Sequence, residues 1–384
     1  MKNNIMNFSE CANCGACYNA CPVNAINLIE QEPFYKIHID KEKCISCGKC
    51  LNVCPWNNEE KRQHLKYAIG GWNNDQAVVA KSSSGGGFSS IAEIIMKQGG
   101  AVFGAVYSED RKTVYFSSTD FKSLDEIRRS KYVESNPGLI YREIKKRLNL
   151  GRLVLFCGTP CQTAGLIRFL EKPYDNLITC DFACGGLPSH TLFSQYIDFL
   201  EKKYNSEVSS VNFRPKDWGW SRHSVRVTFK NGKQYKKLAI LDPYFYSFVY
   251  GRTTIRENCL NCKFSNNHYS DIILADLWKW SSVSPLKNND TGISLLLANS
   301  EKGKAILELL KKEQNFVELD LYEASYNCCN RESPDQSYLD KRTKFWNDVC
   351  KYGINKAAVN CGMEKGMNAY LRVLKTNISR MRKK

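Results

Sequence analysis

The stretch CANCGACYNACP, residues 11–22, carries four cysteines in the order C-x2-C-x2-C-x3-C, followed by proline. The same order returns in CISCGKCLNVCP, residues 44–55, so this part of the chain is an internal repeat. Between the two runs, PFYKIHID at residues 33–40 has strand character. Gly15 and Gly48 stand at equivalent places in the repeat and relax the backbone where a Cβ would crowd the turn. The repeat therefore predicts a small module built around cysteine thiolates.

Cysteine runs of this spacing hold [4Fe–4S] clusters in bacterial proteins, and the fourth cysteine of each run binds the other cluster. The predicted first cysteine set is Cys11, Cys14, Cys17 and Cys54, and the second cysteine set is Cys44, Cys47, Cys50 and Cys21. A pair of zinc knuckles is disfavoured, because zinc sites close with four ligands in two pairs. Residues 11–56 thus resemble dicluster ferredoxins. Two neighbouring clusters indicate an electron-transfer path whose end lies in the rest of the chain.

The composition sets the class of protein. The chain has 384 residues, 43% of them hydrophobic, and 18 cysteines. This length suggests two or three domains, each with its own core. Residues 1–10 lack the apolar segment of a signal peptide, and no run approaches the roughly 18 apolar residues of a membrane span. We therefore expect a cytoplasmic protein without a transmembrane segment, whose reduced cysteines bind metal.

The net charge of +16 is concentrated late in the chain, where residues 341–384 are strongly basic. A solvated helix face explains such charge without any partner. The alternatives are docking of an acidic protein such as a ferredoxin, or of an anionic substrate or membrane surface. Nucleic acid has the least support, because no recognition motif accompanies the charge.

The middle of the chain predicts an α/β core. Residues 81–107, KSSSGGGFSSIAEIIMKQGGAVFGAVY, join a Ser/Gly-rich turn to an amphipathic helix and an apolar strand. The turn is either a flexible linker or a phosphate site at the start of the helix. A helix at 137–151, a strand at 152–157, a helix at 162–172 and a strand at 177–182 follow. This alternation favours parallel strands, whose carboxyl ends are where ligands bind.

Four further cysteines are candidates, two of them in turns at the ends of such strands and two in a close pair. Cys161 lies in a Gly-Thr-Pro-Cys turn, Cys184 in the DFACGG turn, and Cys259 and Cys262 form a C-x2-C pair. Four thiolates are what one more [4Fe–4S] cluster needs, and we call these four the third cysteine set. A set that includes Cys157 and Cys180 is conceivable, but both lie within apolar runs and should pack into the core. For Cys161 the alternatives are a structural thiol and a nucleophilic or redox thiol.

The motifs in residues 11–302 together resemble the coenzyme F420 hydrogenase and dehydrogenase beta-subunit family, in its bacterial branch with an N-terminal dicluster ferredoxin module. The resemblance is carried by SSSGGGF (82–88), SKY (130–132), FCGTPCQTAGL (156–166), DFACGGLPS (181–189), FRPKDWGW (213–220), RENCLNCKF (256–264), SDIILADLW (270–278) and GISLLLANSEKG (292–303). This family also includes a ferredoxin-dependent reductase of chlorophyll breakdown.

The resemblance implies a flavin, FAD, near the glycine-rich turn, with the third cysteine set holding a cluster beside it. The implied flavin-binding residues are Ser84, Gly85, Gly86, Gly87, Phe88, Lys131 and Tyr132. Lys131 would neutralise a phosphate or a flavin anion. Further polar candidates near the flavin are His190, Arg214, Lys216, Trp220, His223, Asp276 and Trp278. No general acid or other catalytic residue follows from the sequence.

We therefore expect an α+β protein with four parts. Residues 1–62 form the dicluster ferredoxin domain, 63–155 and 156–322 the two parts of an α/β flavin- and cluster-binding core, and 323–384 a basic helical tail. The expected function is an iron–sulfur flavoprotein oxidoreductase that passes electrons between a ferredoxin or another redox protein and a small organic acceptor or donor. The alternatives are a reductase of a sugar or cell-envelope intermediate, an electron-transfer subunit without a substrate, and, with least support, a DNA-binding cluster sensor.

Overall fold

The computed structural model describes residues 11–57, 65–279, 286, 290–326 and 335–365. The described strands are β1 (Ile26–Ile29), β2 (Lys36–Ile39), β3 (Tyr67–Trp72), β4 (Ala101–Tyr107), β5 (Val114–Ser118), β6 (Val154–Cys157), β7 (Leu177–Phe182), β8 (Val208–Asn212), β9 (Ser224–Phe229), β10 (Gln234–Leu238), β11 (Ile272–Asp276), β12 (Ser294–Ala298) and β13 (Asn315–Glu318).

The described α-helices are α1 (Ala16–Ala20), α2 (Lys49–Asn52), α3 (Gln76–Ala80), α4 (Gly87–Lys97), α5 (Leu124–Ile127), α6 (Ile140–Asn149), α7 (Pro160–Leu170), α8 (His190–Tyr204), α9 (Pro243–Val249), α10 (Glu301–Glu313), α11 (Leu321–Tyr326), α12 (Gln336–Tyr352) and α13 (Ile354–Asn360). No helix in these ranges is both long enough and apolar enough to span a bilayer.

The N-terminal module is built as its repeat predicts. Each cysteine run ends in a short helix, α1 or α2, and the hairpin of β1 and β2 lies between them, with Ile26 paired to Ile39. Gly15 precedes α1 with φ of 87° and Gly48 precedes α2 with φ of 73°. Glycine adopts this left-handed backbone without steric cost, which explains its place in both runs.

The core is an eight-stranded mixed sheet in the order β13-β3-β12-β11-β7-β6-β4-β5. Its central strands β4, β6, β7 and β11 are parallel, as the alternation of helices and strands predicts. Antiparallel strands β5 and β12 flank them, and β3 and β13 extend the sheet beyond β12. The architecture confirms an iron–sulfur type N-terminal module followed by an α/β core.

Helices cover both faces of the sheet. On one face, α4 buries Ile91, Ile94 and Ile95 in a cluster that also contains Leu307 of α10. On the other, Tyr141 of α6 and Phe169 of α7 pack over β6. This double coverage is what a parallel centre requires, because its strands are apolar on both sides. The carboxyl ends of β6, β7 and β11 consequently open at one edge, where the predicted cysteine turns lie.

A second layer lies outside the large sheet. Strands β8, β9 and β10 form a three-stranded antiparallel sheet, which packs with α8 and α9 around buried aromatic rings. Asp242 begins α9, and its buried carboxylate accepts hydrogen bonds from the hydroxyls of Tyr196 and Tyr235 at 2.8 and 2.7 Å. In the described part of the predicted tail, α12 and α13 pack on this layer, and Phe345 is fully buried.

Candidate electron-transfer site

The first cysteine set lines one cavity. Cys11, Cys14, Cys17 and Cys54 all face it, together with Trp56 and Phe264. Cys17 and Cys54 are buried, and Cys11 and Cys14 are half-buried. Burial raises the pKa of Cys17, and the neighbouring thiols of Cys14, Cys11 and Cys54 raise it further. The predicted ligands from both runs of the repeat are therefore close neighbours.

The second cysteine set lies at the surface end of the module. Cys44 and Cys47 are exposed, Cys50 is half-buried and Cys21 is buried. Cys50 and Cys21 pack in the same apolar cluster. Burial raises the pKa of Cys50, and the thiols of Cys47 and Cys44 add to the rise. The second set therefore reaches solvent through Cys44 and Cys47, whereas no cysteine of the first set is exposed.

The third cysteine set lines a cavity of its own. Cys161 and Cys184 reach it from the turns after β6 and β7, and Cys259 and Cys262 reach it from the segment before β11. Cys161 is the second residue of α7, which begins with Thr159 as its capping residue and Pro160 at its first position. Thr159 Oγ1 lies 3.1 Å from Cys161 Sγ. The cap and the proline fix the direction of this thiol.

The thiols of the third set raise one another's pKa. Burial raises the pKa of Cys259 to about 12, and the thiols of Cys184 and Cys262 contribute to the rise. Burial, Cys262 and Cys184 act in the same direction on the pKa of Cys161. Thiolates crowded in a low-dielectric site form only with a cationic centre among them. Soft sulfur donors in this arrangement fit an iron–sulfur cluster.

A single bare ion is a poorer fit. Across the residues that the structure describes, no three His, Cys, Asp or Glu side chains converge on a site for one metal ion. The cysteines instead border cavities, and a cubane cluster spans such a gap with four irons rather than one.

The cavities adjoin one another. The cavities of the first and third sets share Ala12, Trp56 and Phe264 as walls. Cys161 and Cys14 also lie in one apolar cluster, and the Cys161 thiol lies 3.8 Å from the carbonyl oxygen of Ala12. The order of sites along the molecule is thus the second set, the first set and the third set.

A larger cavity lies next to the third set and shares Cys184, Gly186 and Leu187 with it. Its volume is about 350 Å³, within the range of small-molecule sites. It is lined by the carboxyl ends of β6, β7 and β11 and by the Ser/Gly-rich turn before α4. Of the implied flavin-binding residues, Ser84, Gly86, Gly87, Phe88, Lys131 and Tyr132 face it.

Gly85 is the exception, since it packs away from the large cavity. A Cβ at this residue would lie 2.3 Å from the carbonyl oxygen of Gly71 and 2.8 Å from the amide of Ser294. Gly85 therefore lets the turn lie flat against β3 and β12. The next residue, Gly86, has φ of 90° and starts α4, and the amide of Gly87 donates to Ser294 Oγ at 3.1 Å. The turn is a fixed part of the wall rather than a linker.

Basic groups dominate the charged wall of the large cavity. Arg128, Arg129 and Lys131 line it, and Asp276 is the acidic residue among its described lining residues. The Lys131 ammonium donates to the carbonyls of Ile127 and Arg128, both at 3.0 Å. Burial, and to a smaller extent the Arg129 charge, together lower the pKa of Lys131 to about 7. This wall fits a phosphate-bearing ligand such as a flavin nucleotide, and it leaves Lys131 able to titrate near neutrality.

The predicted polar candidates gather around Asp276. Its carboxylate accepts from Arg214 at 2.9 Å and from Trp220 Nε1 at 3.2 Å. Trp220 stacks on Trp278 with ring centroids 4.5 Å apart, and His223 meets the edge of Trp278 at 5.1 Å. Lys216 donates to the Ser84 carbonyl at 2.8 Å and so supports the glycine-rich turn. Only Asp276 and Trp278 of these residues line the cavity.

His190 lies elsewhere. It stacks on Tyr35 of the ferredoxin module, with centroids 3.6 Å apart, and its Nδ1 lies 3.3 Å from Glu134. Glu134 and its partner Arg256 are not predicted from the sequence, although both lie in or beside motifs that are. A pairing between residues so distant in the chain leaves no periodic signal.

The remaining cysteines divide into three groups. Cys180 is fully buried, as predicted. Cys157 is half-buried and faces the large cavity, so the prediction that it packs into the core is wrong in part. The reason is its place at the last residue of β6, where the sheet opens. Cys350 is exposed and Cys361 is buried in the helical tail, and Cys328 and Cys329 lie outside the described residues.

Comparison with known proteins agrees with this arrangement. Residues 10–58 match the family described as 4Fe-4S dicluster domain. Residues 151–323 match the family that describes the C terminus of the coenzyme F420 hydrogenase/dehydrogenase beta subunit. No curated protein matches the chain.

Among solved structures, the chain is similar to one from the xenon-derivatised F420-reducing [NiFe] hydrogenase complex of Methanosarcina barkeri. The two share 13% identity with a TM-score of 0.48, over 78% of this chain and 97% of the other. On the two family matches, the protein is an iron–sulfur protein with an N-terminal 4Fe–4S dicluster domain, and its residues 151–323 are similar to the C-terminal domain of coenzyme F420 hydrogenase/dehydrogenase beta subunits.

Proposed function

We propose that the protein is an iron–sulfur flavoprotein oxidoreductase that binds three [4Fe–4S] clusters and one FAD. The observation that carries the proposal is the sequence of adjoining cavities, in which the first-set site shares walls with the third-set site, and the third-set site shares walls with the large cavity. Bound there, the clusters would supply one-electron transfer and the flavin would exchange single electrons for electron pairs. We propose four domains with the bounds given by the sequence analysis, 1–62, 63–155, 156–322 and 323–384.

The residues of the chain would divide the work as follows. The three cysteine sets would hold the clusters in the order second, first, third. Ser84, Gly86, Gly87, Phe88, Lys131 and Tyr132 would bind the flavin, with Gly85 shaping the turn behind them. Arg128, Arg129 and Lys131 would face its phosphates, since they are the cations on the described cavity wall. Trp278 would border the substrate, because it is part-exposed at the cavity.

The redox partner is proposed to dock where the second cysteine set reaches solvent. Cys44 and Cys47 are exposed there, and so are Lys41 and Lys43. Lysines around an exposed cluster site favour a small acidic one-electron carrier such as a ferredoxin. This surface is a better candidate than the basic tail, because the second cysteine set is the site on the proposed electron path that reaches solvent.

The organic substrate is proposed as a class. The matched family is named for coenzyme F420, so a deazaflavin coenzyme is the first candidate, and another small acceptor is the second. An electron-transfer subunit without its own substrate remains the rival function. The two are separated by whether the isolated protein, supplied with reduced ferredoxin, turns over a small acceptor.

The test uses anaerobic protein reconstituted with iron, sulfide and FAD. Reduced ferredoxin should bleach the flavin absorbance of the wild type and of Cys350→Ser, a matched variant in an exposed cysteine of the tail. Cys161→Ser should bind FAD but bleach at least about tenfold more slowly, because its third site is incomplete. Bleaching of Cys161→Ser at the wild-type rate would contradict the proposed path.

A further inference from the structure

A buried ion pair lies at the junction of the ferredoxin module and the core. Arg256 donates to Glu134 Oε1 through Nε at 2.9 Å, and Nη2 lies 2.7 Å from the same oxygen. The Glu134 side chain has no exposed area, and that of Arg256 is 8% exposed. Two charges are rarely removed from water so completely, because each ion loses its hydration. A pair of this kind points to a specific role at the junction.

Arg256 touches a predicted ligand of each of two neighbouring clusters. Its carbonyl oxygen accepts from the amide of Cys259 at 3.0 Å, and Cys259 belongs to the third cysteine set. Its Nη1 donates to the carbonyl of Cys11 at 3.2 Å, and Cys11 belongs to the first cysteine set. Nη2 also donates to the carbonyl of Tyr35. Arg256 therefore contacts the first set through its guanidinium and the third set through its backbone, and these two sites share cavity walls.

Glu134 holds the other side of the junction. Its carboxylate accepts from Asn13 Nδ2 at 3.1 Å and from the amide of Tyr35 at 3.2 Å, and His190 lies 3.3 Å away. The backbone amide of Asn13 in turn donates to Cys11 Sγ at 3.3 Å. Glu134 thus orients Arg256 and contacts the first cysteine run directly, at Asn13. The guanidinium of Arg256 contacts Cys11 directly, whereas the carboxylate of Glu134 is linked to Cys11 only through Asn13.

A second arginine of the core contacts the first cysteine run and serves as a comparison. Arg142 of α6 donates to the carbonyl of Cys21 at 2.7 Å and to that of Asn19 at 2.7 Å. Cys21 belongs to the second cysteine set. Like Arg256, Arg142 donates hydrogen bonds from the core to the ferredoxin module. Its side-chain hydrogen bonds go to the module and not to the third set. It separates the effect of holding the module from the effect of charge beside the third site.

A fixed buried cation changes the redox balance of a nearby cluster. An electron added to a [4Fe–4S] cluster increases its negative charge, and a buried guanidinium stabilises that charge more than a solvated one would. Charge and hydrogen bonding around the cluster are among the factors that set its reduction potential. The exposed second set lies at the other end of the module, where water screens charge.

We propose that Arg256, oriented by Glu134, raises the reduction potentials of the clusters at the first and third cysteine sets relative to the cluster at the second. Electrons that arrive at the exposed end are then held more favourably at the inner sites. Arg256 acts here as a positioning and tuning residue, and the inference rests on the proposed function because it requires the three clusters.

The test is a redox titration of anaerobic holoprotein, followed by electron paramagnetic resonance, after iron per chain has been measured. The variants are Arg256→Gln, Arg256→Lys, and the double variant Arg256→Gln with Glu134→Gln, which leaves no unpaired buried charge. Arg142→Gln is the matched control. In the double variant, the midpoint potentials of the clusters at the first and third cysteine sets should fall, and that of the cluster at the second set should stay unchanged. Arg256→Gln should lower the same two further, and Arg256→Lys should restore them towards wild type.

Each outcome decides the question. Wild-type protein without three clusters removes the proposed function itself. Three clusters in the wild type with unchanged potentials in both glutamine variants overturn the inference about Arg256 alone. Loss of iron from both glutamine variants, or an equal fall of all three potentials, shows a purely structural role and also overturns it. Arg142→Gln should leave the third-set potential unchanged, and a fall there equal to that of the double variant overturns the inference too.

Discussion

The two halves of the cysteine repeat have the same spacing and opposite surroundings. In the first, Gly15 and α1 are packed under α6 and α7, and the Cβ and Sγ of Cys14 lie 3.0 Å from where a Cβ on Gly165 would stand. In the second, Cys44, Ile45 and Cys47 are exposed, with Ile45 61% accessible. One motif thus builds both a buried end and an open end of the module.

The difference shows that the cysteine motif specifies the candidate ligands, whereas the surrounding structure determines whether a site is buried or exposed. A buried site that shares walls with the third-set cavity is suited to relay electrons, and an exposed site is suited to meet a partner protein. Glu134, Tyr141 and Arg142, all from the core, supply the contacts that make the first end buried. Matched substitutions at the buried end and at the open end should therefore differ in their effect on stability.

The largest difference is expected in the thermal unfolding temperatures of Cys14→Ser and Cys47→Ser. Each variant should lose about four of about twelve irons per chain, because each removes one cluster ligand. Only Cys14→Ser should also lower the thermal unfolding temperature of the core, since Tyr141 of α6 donates to the Cys14 carbonyl at 2.6 Å and the emptied site is buried. Iron analysis and calorimetry measure both. Equal unfolding temperatures for the two variants would contradict the buried role of the first end.

The paired glycines give the next largest difference. Gly15→Ala and Gly48→Ala each place a Cβ at positive φ, which costs about 1–2 kcal/mol. At Gly15 the new Cβ would also lie 2.9 Å from Tyr18 Oη and 3.1 Å from Pro137 Cβ, whereas at Gly48 nothing lies within 4 Å. Overpacking adds about 1–3 kcal/mol to the loss at Gly15.

Urea denaturation of the two alanine variants measures these losses as free energies of unfolding. Gly15→Ala should be the less stable by at least about 1 kcal/mol. An equal loss in both would mean that the first end is no more tightly packed than the second.

Charge at the two ends of the path should respond differently to pH. Burial lowers the pKa of Lys131 to about 7, so this wall of the large cavity loses positive charge as the pH rises through 7. At the open end, the hydrogen bond from Lys43 to Asp40 raises the pKa of Lys43, which stays charged. FAD binding should weaken about tenfold from about pH 6 to about pH 8, and carrier binding should not.

Lys131→Gln is the control for this pH effect. It should remove the pH dependence of FAD binding and leave carrier binding unchanged, as measured by equilibrium titration at each pH. An unaltered pH profile in Lys131→Gln would assign the titration to another group.

The smallest expected effect concerns the tail. Trp346 of α12 meets the edge of Phe34 in the module at 5.9 Å. Trp346→Ala should speed hydrogen exchange of the amides in β1 and β2, because an aromatic pair contributes about 0.5–1.5 kcal/mol. Tyr352→Ala, in an exposed residue of the same helix, should not. Equal exchange in both variants would exclude a role of α12 in holding the module.

Much of this arrangement could be predicted from the sequence, because cysteine spacing and helical periodicity are local signals. The repeat predicts the module, and the apolar runs around Cys157 and Cys180 predict the parallel centre of the sheet. The pairing of β3, β12 and β13 beside β11 is not predicted, since it depends on contacts far apart in the chain. The same limit hides the Glu134–Arg256 pair and explains why His190 lies away from its predicted place.

The central claim is that four adjoining sites hold three clusters and a flavin. Iron and flavin per chain, measured on protein purified without oxygen, test it most directly. The account predicts about twelve irons and one flavin. About eight irons without flavin would leave only the ferredoxin module and would contradict the claim.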